Sequence, residues 1–165
     1  MEARCRAEAH LVGTVGQIQA LPGAVNTIPG SVRFSLDLRA PDDGQRNAGL
    51  ADITAAFEKI AESRHLDLDM RSLHEAAAVP CDPGLADLIR DAVAAEGLSV
   101  LTLPSGAGHD GMAVAAIAPI AMVFVRCRGG ISHNPAEFAS LPDIECGARV
   151  LLAAIQGFSA RRRRV

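Results

Sequence analysis

Four short stretches hold the residues whose types and spacing could do chemistry. In PSGAGHDG, His109 and Asp110 sit on a glycine-rich turn, where missing side chains let the backbone approach a ligand closely. Gly106, Gly108 and Gly111 there satisfy Gly-x-Gly-x-x-Gly, the formal dinucleotide fingerprint. Pro119 stops the following helix within two turns, too soon for a βαβ crossover, and no acidic residue closes the next apolar run where a ribose hydroxyl would be held. Both count against the nucleotide reading, which only the Arg126 and Arg128 pair favours, as a partner for a 2′-phosphate. In ISHNPAE, His133 offers an imidazole nitrogen to a metal, but one histidine cannot hold zinc, which takes about four ligands. Asn26 lies in LPGAVNTIPG, and Arg39 follows it by 13 positions at the end of an alternating run. An arginine fork grips a carboxylate with two parallel hydrogen bonds, and an asparagine amide adds both a donor and an acceptor. His10, His65 and His74 have no ligand-like spacing to His133 and read as surface or capping residues.

The elements that must position these groups follow from periodicity. Residues 11–19 and 31–38 alternate, with Val32, Phe34, Leu36 and Leu38 on one side and Arg33, Ser35 and Asp37 on the other, so both read as half-buried strands. Two Pro-Gly pairs between them demand a shaped turn, which makes a hairpin. Leu50, Ile53, Phe57 and Ile60 follow Pro41-Asp42-Asp43 at spacings of three and four, predicting a helix over 45–65 with one buried stripe. The alternating run 66–70 reads as an edge strand. Strand, strand, helix, strand is most of a ferredoxin-like sandwich lacking its first strand and helix.

A composition shift at 76–83 marks a boundary, giving domains over 1–76 and 77–165. Beyond it come a helix over 82–96, a strand over 100–103, the glycine loop, a short helix over 112–117, a continuous apolar run at 120–125 that resembles a covered central strand, and a closing helix over 142–158. The fold class expected is α/β, with an α+β first part.

Composition narrows the function classes. The 165 residues carry a net charge of −3, with 21% charged and 49% hydrophobic residues, which argues against disorder and general nucleic-acid binding. Trp and Tyr are absent, which removes the usual stacking platforms for single strands. No apolar run approaches the ~20 residues that span a bilayer, and the N-terminus lacks a secretory core. Four scattered cysteines form no Cys-x-x-Cys pair and read as reduced thiols. A soluble cytoplasmic protein is expected, without nucleic-acid or membrane partners. The basic run Arg161–Arg164 reads as a solvated tail.

Taken together, TVGQIQALPGAVNTIPGSVRFSLDLRAPDD, LPSGAGHDGMAVA and FVRCRGGISHNPAEF resemble the M20-type metal-dependent amidohydrolases of the hydantoinase/carbamoylase group. That group includes N-carbamoyl-L-amino-acid hydrolases and allantoate amidohydrolases. The resemblance covers nearly the whole chain, in order. It implies that Asn26 and Arg39 bind the substrate carboxylate across a dimer. By the same resemblance Gly108 and His109 contact the substrate and stabilise charge on the attacked carbonyl oxygen, and His133 is the last metal ligand. It also implies two divalent ions, Zn or Mn, a small ureido substrate with a carboxylate, and a homodimer formed through a partial ferredoxin-like lid/dimerisation domain, followed by the C-terminal part of an α/β catalytic domain. The family's other metal ligands and its catalytic carboxylate base are not found in these residues. The chain is therefore expected to be a C-terminal portion, inactive and metal-poor alone. A stand-alone ferredoxin-like binding or dimerisation module without catalysis is the alternative.

Overall fold

The computed structural model describes residues 1–162. Arg163 and Arg164 of the basic tail lie outside the described residues. The chain is mixed α/β with two small sheets and forms two compact units, one comprising Met1–Ala78 with Pro104–Ala107, the other Val79–Leu103 with Gly108–Val165.

In the first unit a short helix α1 (Glu2–Arg6) precedes the hairpin. Each predicted strand is broken in two. β1 (Val12–Thr14) pairs antiparallel with β4 (Asp37–Arg39), and β2 (Ile18–Leu21) with β3 (Ser31–Phe34). Between the paired stretches the first arm has three residues and the second has two, because Thr14 faces Asp37 while Ile18 faces Phe34. That one extra residue is a bulge, which bends a strand and increases its twist. The Ser35 N–H donates to the Gln17 carbonyl at 3.0 Å, and the Gln17 N–H donates to Ser35 Oγ at 3.0 Å, so the hydroxyl takes the donor the broken ladder leaves over. The expected half-burial holds only near Leu38; β2 and β3 are exposed along their length, since a two-stranded ribbon has little to cover it.

α2 (Asp43–Arg64) starts where Asp42, in extended conformation, accepts the Gln45 N–H at 2.9 Å, and ends at His65 in the left-handed region, φ 54°. Of the predicted stripe, Ile53 is fully buried, flanked by Gly49 and Ala61, while Leu50 and Ile60 remain exposed. A Cβ on Gly49 would lie 2.8 Å from Leu11 Cδ2, so the missing side chain lets buried Leu11 settle onto the helix. Phe57 meets Phe34 edge-on at 5.7 Å. The start of α2 holds the segment leading out of the unit: the Ala78 N–H donates to Asp43 Oδ1 at 2.9 Å and Arg46 donates to the Ala76 carbonyl at 2.6 Å.

The second unit is built on α3 (Pro83–Ala95) and α5 (Leu141–Arg162), which pack together through Leu88 and Ala92 on one and Val150 and Ala154 on the other. Both pairs have the four-residue spacing that puts side chains on one helix face. Asp82 caps α3 by accepting the Leu85 N–H at 2.8 Å, and Arg149 joins Glu96 at 2.9 Å. The continuous apolar run does not become a central strand. Residues 66–70, 100–103 and 120–125 have no ladder partner among the described residues, and residues 120–123 are half-buried rather than covered. Val125 lies so close to α5 that a Cβ on Gly147 would be 2.7 Å from its Cγ2. A strand exists only with a hydrogen-bonded neighbour, which an apolar pattern alone does not supply.

Candidate functional site

Arg39 ends β4, and period-2 alternation puts Asp37 on its face. Nε and Nη2 of Arg39 donate to the two carboxylate oxygens of Asp37 at 2.7 and 3.0 Å, and Nη1 donates to the Gly106 carbonyl at 2.7 Å. Both side chains are half exposed. The hydrogen bonds from Arg39, opposed by a smaller desolvation effect, lower the Asp37 carboxyl below its ordinary value, and Asp37 raises Arg39 in return. A guanidinium has five N–H donors. Three are committed, and the two left sit on the terminal nitrogens.

Asn26 occupies the exposed turn between β2 and β3, a loop closed by the Gly30 N–H donating to the Leu21 carbonyl at 2.8 Å. Val25 and Ile28 beside it are almost wholly exposed. No hydrogen bond joins Asn26 to Arg39 among the described residues.

His109 precedes the one-turn helix α4 (Gly111–Val114). Four residues are too few for a βαβ crossover. The Gly111 N–H donates to His109 Nδ1 at 2.9 Å, so the neutral imidazole carries its proton on Nε2 and presents a donor outward. A Cβ at Gly111 would stand 3.1 Å from that same Nδ1, whereas Gly108 has open space around its Cα. A side chain at Gly111 would thus press on the His109 ring, while one at Gly108 would meet nothing within 4 Å.

His133 rides on a loop that closes on itself. The Arg128 N–H donates to the Phe138 carbonyl at 2.8 Å, with the guanidinium 4.9 Å above the Phe138 ring. Gly129 and Gly130 supply the left-handed turn, φ 67° and 69°. Asn134 accepts the Ala136 N–H at 2.9 Å, and Glu137 accepts the His133 N–H at 2.7 Å. His133 is exposed and itself left-handed, φ 55°. Among the described residues no three His, Cys, Asp or Glu side chains converge as a metal site, and no hydrogen bond joins His133 to His109. One imidazole does not make up a divalent-metal donor set.

Sequence reasoning missed Asp37, assigned only to a polar strand face, and the bracing role of Glu137. The Asp-x-Arg spacing was the available signal for the first; nothing local marks the Gly106 carbonyl as a partner of Arg39.

Comparison with known proteins adds to this geometry. Residues 3–157 match peptidase family M20/M25/M40. The chain is 40% identical over 147 residues to the N-carbamoyl-L-amino-acid amidohydrolase of Pseudomonas sp. (strain NS671), covering 89% of this chain and 36% of that protein. It is 41% identical over 155 residues to the allantoate deiminase of Arabidopsis thaliana, covering 88% of this chain and 29% of that protein. The crystal structure of an amidase of the hydantoinase/carbamoylase family from Burkholderia multivorans superposes with a TM-score of 0.88 at 36% identity, over 93% of this chain and 38% of that one. The chain therefore spans about a third of the length of these relatives. No helix among the described residues is long and apolar enough to cross a membrane.

Proposed function

The chain belongs to peptidase family M20/M25/M40, and from that premise we propose that it supplies the carboxylate-gripping and carbonyl-facing part of an amidohydrolase. The reaction is cleavage of the ureido or carbamoyl C–N bond of N-carbamoyl-L-amino acids or allantoate. Residues 1–76 serve as a partial ferredoxin-like lid and dimerisation domain, and 77–165 as the C-terminal part of the catalytic domain. The observation that carries the reading is Arg39, held in place yet with one donor left on each terminal nitrogen. A carboxylate is the group common to the substrates named for the relatives.

In this reading Arg39 and Asn26 together bind the substrate carboxylate, the pair being contributed across a homodimer. Gly108 gives a clear approach to the substrate, and the outward Nε2–H of His109 donates to the carbonyl oxygen as negative charge develops there. His133 is a metal ligand. M20 enzymes are metal-dependent, and two divalent ions, Zn or Mn, would polarise the carbonyl and activate water when bound. The setting is the cytoplasm, where the four free cysteines stay reduced.

A chimera tests the reading: this chain replaces the matching segment of the Pseudomonas amidohydrolase. It should hydrolyse N-carbamoyl-L-amino acids. His109→Ala should lower kcat about 100-fold or more, the usual cost of one oxyanion donor, and Arg39→Ala should act mainly on KM. A folded chimera whose turnover ignores His109→Ala overturns it.

A further inference from the structure

We infer that Asp37 is the positioning residue for Arg39: by taking the Nε and Nη2 donors it fixes the plane of the guanidinium, so that one remaining donor on each terminal nitrogen is presented to an incoming carboxylate. The inference rests on the reading of Arg39 as the carboxylate grip. It assigns Asp37 a positioning role, exerted through Arg39.

The argument begins from what an unheld arginine would do. Four rotatable side-chain bonds give an exposed Arg many orientations, and a ligand that needs one of them must bear the ordering cost at binding. Here the ordering is already done. Asp37 makes a two-point contact at 2.7 and 3.0 Å, which sets the plane, and the Gly106 carbonyl at 2.7 Å limits rotation about the far end. The holder is itself placed by the ladder: Asp37 is opposite Thr14 and Arg39 opposite Val12, so both stand on one short strand whose register is fixed. Just before Asp37 the bulge ends, which sets the face on which the pair emerges.

Asp37 also carries a charge of the same sign as the ligand, and this makes the inference sharp. If charge alone mattered, removing the carboxylate would tighten carboxylate binding, since repulsion would go and Arg39 would no longer be neutralised. If position matters more, removal weakens binding. The two accounts predict opposite signs for Asp37→Asn.

The experiment follows the Arg39 Nε–H signal in ¹⁵N–¹H spectra of the 165-residue chain, identified by its loss in Arg39→Lys, during titration with N-carbamoylglycine and, as control, its primary amide. The carboxylate should shift the signal and the amide should not. Asp37→Asn should weaken binding about fivefold, the scale of an exposed ion pair, and broaden the Arg39 signal while backbone amides elsewhere stay put. Asp37→Glu, which keeps the two-point contact, should recover part of the loss. Equal or tighter binding by Asp37→Asn, with Arg39→Lys still defective, overturns the role of Asp37 and leaves Arg39 as the grip. Unaltered binding by Arg39→Lys, or no response in the unsubstituted chain, overturns the grip itself and the inference with it.

Discussion

Arg39 and His133 are presented by loops and strand ends of opposite construction. Arg39 is held by a neighbour two positions away on a strand and by a carbonyl 67 positions away. His133 is held entirely within its own loop, by Glu137 four positions on and by the Arg128–Phe138 closure. The first arrangement commits three of five donors and leaves two uncommitted. The second fixes a backbone but offers a metal only one donor atom. The proposed carboxylate grip thus has its arginine already organised within this chain, whereas no metal donor set converges among the described residues.

The strongest way to break that contrast is to look for metal. The isolated chain, dialysed against Zn²⁺ or Mn²⁺ and then freed of excess, should hold far less than one ion per chain by elemental analysis. It should give no turnover of N-carbamoyl-L-amino acids or allantoate. Ligand affinity for zinc grows with the number of side chains that converge on it, and one imidazole leaves most of the sphere to water. Stoichiometric metal, or activity of the chain alone, would mean that His133 has partners that the fold does not display.

A smaller effect tests whether the His133 loop is braced as described. Glu137→Ala removes a charged acceptor from the His133 N–H, and should cost about 1 kcal/mol in chemical denaturation, below the usual range for charged hydrogen bonds because the site is exposed. His133→Gly should act in the opposite sense. A left-handed φ of 55° is unfavourable for a residue with a Cβ and free for glycine, so this variant should gain on the order of 0.5–1 kcal/mol. Destabilisation by His133→Gly would show that the imidazole makes contacts that hold the loop.

The same contrast explains what could be read from sequence. Helices α2, α3 and α5 lie within a few residues of the ranges expected because their caps and apolar spacings are local: Asp42 and Asp82 each bind an N–H three positions on. The loop around His133 was legible as a loop for the same reason. Strands were less so. The alternation in 11–19 and 31–38 was right as a hairpin, but the extra residue before Ile18 shows only in the pairing register. The runs at 66–70, 100–103 and 120–125 have strand-like patterns and no ladder among the described residues, since a partner strand is a fact about the rest of the chain and not about the run. The three motifs gave the residue types of the candidate site. The Arg39–Gly106 bond depends on where two distant segments meet, and no spacing rule encodes that.

The subtlest test concerns acid. Asp37 has its carboxyl lowered first by the hydrogen bonds from Arg39, with a smaller opposing effect of burial. A carboxylate whose folded value lies below its unfolded one contributes stability that is fully present above the unfolded value and is lost as pH falls through the folded one. The pair should therefore persist unchanged from neutral pH down to the ordinary carboxylate range and give way only below the ordinary aspartate value. Because both side chains are half exposed, water and salt screen the pair, and the stability involved should be a few tenths of a kcal/mol. Carboxyl ¹³C titration is more sensitive than denaturation here. The Asp37 midpoint should fall below that of an unpaired aspartate, move up in Arg39→Gln, and move up slightly in high salt. An Asp37 midpoint at the ordinary value, indifferent to Arg39→Gln, would mean that the guanidinium is not held in solution, and Arg39 would then be no better organised for a ligand than any other surface arginine.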